Sequence, residues 1–396
     1  MFFEPAIGGH QLDQINLLLT RVDRYDIKPF FVVNPDFFSY YPGERREGKV
    51  SIIPISEEQI VKINSLSLIA SAFYKWKILL EYVHLTGCSH VHIMHLDHFQ
   101  LPLFLYQKLP FTVSGVLFNP AIHYKEMFGE KISNIGLVKY FRNRIFYRGM
   151  LTNSSVTKIF SFDPYFCKFY KKKSIGREKL AYLPDPVLVD DTCNGNMELS
   201  VQEVIQPDRS LFLMFGAVQK RKGIFKLLDA MPLLDEKTRK SITFLISGKI
   251  DISILEQIKS KITGLRRRYP DLRIVKINEY LPFDELRLLI KQCDVILAPY
   301  QNFIGSSGVL YWAAAMNKPV ITQHFGLIGH WVENYKLGLT VNTRSPKEIA
   351  AAICIVVKNE KDTFIDSTLQ GRFIKNNGKE IFPKKILESV VADNEK

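Results

Sequence analysis

The hydrophobic positions of the chain change period many times. Short runs of β-branched, aromatic or aliphatic residues alternate with stretches in which apolar residues recur every three or four positions. The first kind predicts buried strands and the second helices. In the first half strands are predicted at Phe30–Asn34, His90–His95, Thr112–Phe118 and Lys158–Ser161, with one or two helices over Ile60–Leu85. A first strand is also expected before Gly8-Gly9-His10, and a helix over Gln11–Val22 after it. In the second half strands are predicted at Leu211–Phe215, Thr243–Ser247, Arg273–Ile277, Val295–Ala298, Val320–Thr322 and Leu339–Val341. Helices fill Ile224–Met231, Ile254–Arg268, Phe283–Gln292, Val309–Met316 and Pro346–Lys358. Ser345 and Glu348 provide a capping pattern for the last of these, and Pro346 its first turn. Strands alternating with helices predict βαβ units and an α/β fold.

Residues 184–209 are rich in Pro, Asp and Asn and lack an apolar period, so the chain divides there. The expected organisation is an N-terminal domain over 1–190, a linker over 191–209, a second domain over 210–375 and a terminal segment over 376–396. Length agrees, because single cores stop growing near roughly 250–300 residues and this chain has 396. Two such domains are expected to face each other across a cleft, with ligands outside the carboxyl ends of the strands.

Composition removes several classes. Hydrophobic residues are 46% and charged residues 23%, which excludes a disordered or fibrous chain. The longest apolar run is Ile349–Val357, well short of the roughly 18 residues a membrane span needs. The N-terminal residues show no secretory signal pattern, and the five cysteines form no C-x-x-C pair, so a cytoplasmic location is expected.

Charge adds a further feature. The balance is 53 − 40 = +13, and the segment Lys125–Lys179 holds 13 basic and 4 acidic residues, or +9. Its basic residues are interleaved with aromatics, as in Lys139-Tyr140-Phe141-Arg142-Asn143-Arg144-Ile145-Phe146-Tyr147-Arg148. On a helix Tyr140, Phe141 and Ile145 adjoin Arg144 and Arg148, the layout of an interfacial helix. An anionic membrane surface, phosphate-bearing substrates, nucleic acid, or simply a solvated basic face would each explain it.

Candidate chemistry concentrates at strand ends. Phe215-Gly216-Ala217-Val218-Gln219-Lys220-Arg221-Lys222-Gly223-Ile224 ends a strand, passes three cations and opens a helix. Backbone N–H groups with Arg221 and Lys222, read as surface cations, suit a diphosphate. Gly305-Ser306-Ser307-Gly308-Val309 offers small side chains and bare amides at a second helix start. In the first half Gly8, Gly9 and His10 permit close backbone approach to a ligand, and His95 and Asp97 lie near the end of a strand. Four of the nine histidines fall within His90–His98, but no set of three or four ligands for a metal is evident. The chain has no D-x-D triplet and no phosphate loop of the G-x-x-x-x-G-K-[ST] kind.

At these residues the sequence resembles the glycosyltransferases of GT-B architecture, two facing Rossmann-like domains, and family 4 in particular. FGAVQKRKGIFKLLDA, QCDVILAPY and SSGVLYWAAAMNKPVIT fall in that family's order and spacing across Leu211–Val341. Gly8-Gly9-His10 and Leu183-Pro184-Asp185-Pro186 extend the match more weakly. The resemblance implies a sugar moved from a nucleotide-sugar donor to an acceptor hydroxyl, with retention, no metal and no cofactor. Taken with the strand-end reading above, it puts Gly216, Arg221, Lys222, Gly305, Ser306, Ser307, Gly308 and Val309 at the donor, and Gly8, Gly9, His10 and Asp97 at the acceptor, with Arg221 or Lys220 standing in for the family's arginine. Lys222, Arg221 and His95 are the candidate catalytic residues, and the last helix, over Phe382–Val391, is expected to return to the first domain. The family's lysine falls on Lys222, its phosphate-contacting arginine on Ala217, and its two glutamates on Ile304 and Trp312. His123 stands near the position of its histidine. A glycan, lipid-linked or small-molecule acceptor and an anionic membrane surface are the expected partners, and nucleic acid is not. A catalytically silent binding or regulatory protein of the same fold is the alternative.

Overall fold

Every strand pair is parallel, as buried apolar runs joined through helices require. The computed structural model describes residues 1–7, 9–41, 49–128, 134–173, 175–176, 178–186 and 205–394. Two units are present: Met1–Pro186 with Gly378–Lys396, and Val187–Asn377. Residues 187–204, which include most of the expected linker 191–209, lie outside the described residues.

The first unit contains β1 (Phe2–Glu4), β2 (Phe30–Val33), β3 (Ser51–Pro54), β4 (His90–Ile93), β5 (Thr112–Leu117), β6 (Val156–Ser161) and β7 (Leu180–Tyr182), in the order β3-β2-β1-β4-β5-β6-β7. Alternation along the strands gives the sheet two apolar faces. Phe3, Val32, Val91, Ile93 and Val113 join one core; Phe2, Phe31, Val33, Val116 and Phe160 join the other. The helix Ile381–Asn394 packs beside the helix Gly9–Leu19 and over β4. It adds Phe382, Ile386, Leu387 and Val390 to that second core. Each such side chain contributes about 1.5–3 kcal/mol on full burial. Asp393 in the same helix accepts a hydrogen bond from Thr157 Oγ1 at 2.5 Å.

Over Ile60–Leu85 two helices form, Glu57–Ser65 and Leu68–Thr86. Ser56 and Gln59 make a reciprocal capping box on the first, and Gly87, at φ 60°, closes the second. β4 is shorter than expected and stops at Ile93, which pairs with both Phe3 and Gly115. A side chain on Gly115 would meet the Ile93 carbonyl at 2.6 Å. Beyond this close crossing the chain turns into a 3-10 segment, Leu96–His98.

The second unit holds β8 (Ser210–Phe215), β9 (Ile242–Ser247), β10 (Arg273–Ile277), β11 (Val295–Ala298), β12 (Val320–Gln323) and β13 (Gly338–Val341), in the order β10-β9-β8-β11-β12-β13. The helices Ile224–Ala230, Ile252–Arg268 and Pro346–Lys358 cover one face through Ile224, Leu227, Ile258, Ile262, Ile349 and Ile353. In both units the strand order reverses next to the first strand, between β1 and β4 and between β8 and β11. Crevices open at such reversals, outside the carboxyl ends of the strands. Among the described residues no helix is long and apolar enough to cross a membrane.

Candidate functional site

In the second unit the carboxyl ends of β8 and β11 carry the two glycine-containing loops. β8 ends at Phe215, and Gly216 and Gly223, both at φ 80°, bracket a 3-10 turn, Lys220–Lys222. Only glycine adopts that conformation without strain, and at Gly223 space also demands it. A Cβ there would lie 1.8 Å from the Pro299 carbonyl oxygen. The two loops therefore touch through their backbones. Gln301 N–H donates to the Arg221 carbonyl at 2.7 Å, and the Gln301 amide donates to the carbonyls of Pro299 and Thr343.

Lys222 departs from its expected place on the surface. It is only 9% exposed, and its ammonium donates to the Phe215 carbonyl at 2.7 Å. The cause is Gly216, whose missing side chain leaves room for the amine; a Cβ there would sit 3.0 Å from Nζ. Burial, reinforced by neighbouring Arg221, lowers the Lys222 ammonium to about 8. It remains charged at neutral pH, at the strand end, under the exposed Arg221. Arg221 is held over the Phe303 ring at 5.3 Å and donates to Gln219 at 2.9 Å.

The second loop is equally braced. Tyr300 OH and Ser307 Oγ are 2.8 Å apart, and Ser306 Oγ and Tyr311 OH 3.0 Å. Ser307 is buried and precedes the helix Gly308–Ala315, so Gly308 and Val309 form its first turn. Gly305 is buried and Ser306 half-buried. Tyr311 stacks on Phe373 and meets Trp331 edge-on, which fixes that helix against the helices Gly326–Tyr335 and Ser367–Asn376. Gly216, Arg221, Lys222, Gly305, Ser306, Ser307, Gly308 and Val309 thus belong to two adjoining loops on one sheet edge.

The candidates of the first unit are placed differently. Gly8 lies outside the described residues; Gly9 and His10 open the helix Gly9–Leu19. His95 follows β4, with Gln11 Nε2 3.4 Å from its Nδ1 and Asp97 Oδ2 3.6 Å from its Nε2. Burial, with a contribution from Lys75, lowers the His95 imidazole to about 4, so it is neutral at pH 7. Asp97 accepts the N–H of Phe118 at 2.7 Å and that of Asn119 at 3.3 Å, tying the end of β5 to the loop after β4. His90 and His92 both bond to Ser114 and are buried in the sheet. His123 is fully buried, 2.9 Å from Asp163 and packed against Phe166 and Phe169. Among the described residues no group of three His, Cys, Asp or Glu could hold a metal.

Two residues of this edge escaped the sequence reading. Glu4 closes β1 with 1% exposure; Oε1 accepts the Ala6 N–H at 2.8 Å, and Oε2 has no hydrogen-bond partner. Burial raises its carboxyl to about 8, held back by the Ala6 N–H and by Lys75. Lys75, on the helix Leu68–Thr86, is itself buried and its ammonium is lowered by that burial. The available signal was a glutamate ending the apolar run Met1-Phe2-Phe3 directly before a Pro- and Gly-containing loop.

The basic helix also differs from expectation. In Asn134–Thr152, Tyr140 is buried rather than exposed, because its hydroxyl donates to Glu126 at 2.5 Å. Glu126 also takes Arg144 and Lys173. The exposed apolar residues are Val138, Phe141 and Ile145.

Comparison with known proteins fits this geometry. Residues 209–359 match the family described as glycosyl transferases group 1. No curated protein sequence matches the chain. Among solved structures, HepE of Anabaena in complex with UDP and glucose superposes with a TM-score of 0.68 at 13% identity, covering 99% of each chain. The UDP-forming α,α-trehalose-phosphate synthase of Burkholderia vietnamiensis gives 0.70 at 12% identity, covering 100% of this chain and 99% of that one. WaaG, a glycosyltransferase involved in lipopolysaccharide biosynthesis, gives 0.63 at 13% identity over 98% of each chain. The second unit is thus similar over residues 209–359 to the glycosyl transferases group 1, within a chain that has the fold of the GT-B glycosyltransferases.

Proposed function

We propose that the protein transfers a sugar from a nucleotide-sugar to an acceptor hydroxyl, with Lys222 and the two adjoining loops holding the donor diphosphate. The observation that carries this reading is the charged, buried Lys222 ammonium beside Gly216, at the strand-order reversal of a domain matched to glycosyl transferases group 1. A diphosphate leaving group needs positive charge where its own charge develops, and a preformed ammonium in a low-dielectric site supplies it without reorganisation. Exposed Arg221 would add a second cation, and the Ser306–Gly308 backbone an amide surface. Neutral His95 would orient the acceptor by hydrogen bonding. The reading extends to retention without a metal, in which the departing diphosphate takes the acceptor proton. HepE was solved with UDP and glucose, which supports a nucleotide diphosphate as ligand. The test is calorimetric titration with UDP, GDP, ADP and their sugars, followed by donor turnover. Saturable binding of one nucleotide, lost in Lys222→Met, is expected; a catalytically silent protein would bind without turnover, and no binding at all would remove the assignment.

A membrane-surface acceptor is the second reading, and a specific observation favours it. Val138, Phe141 and Ile145 are 74%, 58% and 55% exposed at three- and four-residue spacing, with Lys139, Arg142 and Arg148 exposed beside them. Apolar residues flanked by cations suit an anionic leaflet, each cation contributing about 1 kcal/mol. Sedimentation with phosphatidylserine vesicles should carry the protein down at low salt, and Phe141→Ser with Arg142→Glu should abolish this. Failure to bind either neutral or anionic vesicles would refute it.

A further inference from the structure

Four loops at the carboxyl ends of β8, β11, β12 and β13 surround the proposed donor position: 216–223, 299–307, 324–325 and 342–345. Together they contain Lys220, Arg221, Lys222 and Arg344, and no carboxylate. A diphosphate linking a nucleoside to a sugar carries about two negative charges, so these loops hold more positive charge than it neutralises.

The two arginines are organised around one segment. Arg221 lies over the Phe303 ring at 5.3 Å. Arg344 donates to the Asn302 side chain and lies 5.9 Å over the Phe325 ring. Asn302 adopts φ 56°, and Phe303 is tied to Gln323 through its N–H and its carbonyl. Stacking leaves the edges of a guanidinium free to donate in its own plane, the arrangement that suits a carboxylate. Yet neither arginine is within ion-pair distance of a carboxylate among the described residues. Glu348, the acid nearest in sequence to Arg344, instead accepts the Asn342 N–H at 3.1 Å, while its own N–H donates to Ser345, the N-cap of the helix Pro346–Lys358. The next residue, Ile304, stands where the sequence resemblance would put a carboxylate that accepts from sugar hydroxyls. Here the position following Phe303 is aliphatic, and the charged groups that meet the neighbouring residues Asn302 and Phe303 are Arg344 and Arg221.

We infer that the donor sugar is itself anionic, a nucleotide-linked uronic acid whose carboxylate is received chiefly by Arg344, with Arg221 lying between that carboxylate and the diphosphate. This rests on the nucleotide-sugar reading above and specifies its substrate class. A neutral hexose would leave Arg344 without a counter-charge, since Arg221 already faces the diphosphate in the reading above. A sugar carboxylate would form charge-assisted hydrogen bonds to planar donors already held in place by two aromatic rings.

Matched donors test it on the full chain: UDP-glucose against UDP-glucuronate, UDP-galactose against UDP-galacturonate, and GDP-mannose against GDP-mannuronate, with free UDP and GDP as references. One uronate should bind at least tenfold tighter than its neutral partner, and the ratio should fall towards one in Arg344→Gln. Arg344→Lys, which keeps the charge without the fork, should restore part of it, and both variants are checked for an unchanged melting temperature. Equal affinity for acid and neutral donors would overturn the uronate inference while leaving nucleotide binding intact. Absence of binding by any nucleotide or donor would overturn the function proposed above as well. A uronate preference that survives Arg344→Gln and Arg221→Gln would overturn the role of these two residues.

Discussion

The carboxyl edges of the two sheets have nearly the same topology and opposite chemistry. In the first unit the edge around β1 and β4 is built of titratable side chains, buried Glu4 and Lys75 and half-buried His95, Asp97 and His98, whose protonation is shifted chiefly by desolvation. In the second the edge around β8 and β11 is built of glycine backbone and cations, with loops meeting at distances no side chain would allow. Parallel sheets of this order place a crevice at the strand reversal but leave its chemistry open. One unit fills the position with groups that can take up or release protons, the other with backbone amides and cations, the groups proposed above to hold an anion.

The largest way to break this difference is to spoil the backbone approach of the second unit. Gly223→Ala puts a Cβ against the Pro299 carbonyl at a positive φ, a conflict between two backbones that neither can relieve by a rotamer change. The expected cost is about 3–5 kcal/mol, read as a lower denaturation midpoint of that unit in urea. A near-native midpoint would mean the two loops are not held together as described.

Lys222→Met separates binding from folding. The substitution removes a buried charge and leaves the Phe215 carbonyl without its donor, two effects of opposite sign on stability. Stability should therefore change by about 1 kcal/mol or less, while nucleotide affinity falls about 100-fold. In the unsubstituted protein affinity should weaken as pH rises through about 8, where the native lysine loses its proton. A pH-independent affinity between 7 and 9.5 would place the phosphate away from Lys222.

The smallest effects sharpen the first unit. His90, His95 and His98 are each held near 4, below the usual imidazole value, chiefly by burial. The unfolded chain binds these protons first, so the stability from neutral histidines is present above about 6.5 and lost as pH falls towards 4. Glu4 acts in the other direction. Its carboxyl is raised to about 8 from the ordinary 4.5, so the native state keeps a proton that the unfolded chain releases. Stability is then highest below about 4.5 as far as Glu4 is concerned, and declines as pH rises to 8. Glu4→Gln should raise the melting temperature more at pH 8.5 than at pH 6. An equal gain at both pH values would show that Glu4 is ionised in the fold.

What the sequence disclosed follows the same division. Interior strands such as β8, β9 and β11 were legible because they are continuous buried apolar runs. The outer strands β3 and β7 were not, since they are four and three residues long and half open to solvent. Nor were the helices Pro164–Lys173, Gly326–Tyr335 and Ser367–Asn376; the second opens on Gly326 at φ 69°, a poor helix start by propensity. Gly216 and Gly223 could be picked out because a strand end, glycines and cations in register constrain the backbone locally. The burial of Lys222 could not, because it depends on the space above Gly216, and the burial of Tyr140 depends on Glu126 from another helix. Glu4 is a lone acid after three apolar residues, and only the tertiary fold shows what surrounds it.

The chain order of the first unit has a consequence for its synthesis. Its sheet is complete at Tyr182, but the core on one face of that sheet waits for Phe382, Ile386, Leu387 and Val390. Thr157 likewise waits for Asp393, 236 residues downstream. At translation rates of roughly 5–20 residues per second, that face stays uncovered for about 10–40 s while the whole second unit is made. The nascent first unit therefore spends this interval with part of an apolar sheet face, the part beside the helix Gly9–Leu19, open to chaperones or to other nascent chains. A ribosome stalled before residue 381 should display it, and release of the last helix should withdraw it from them.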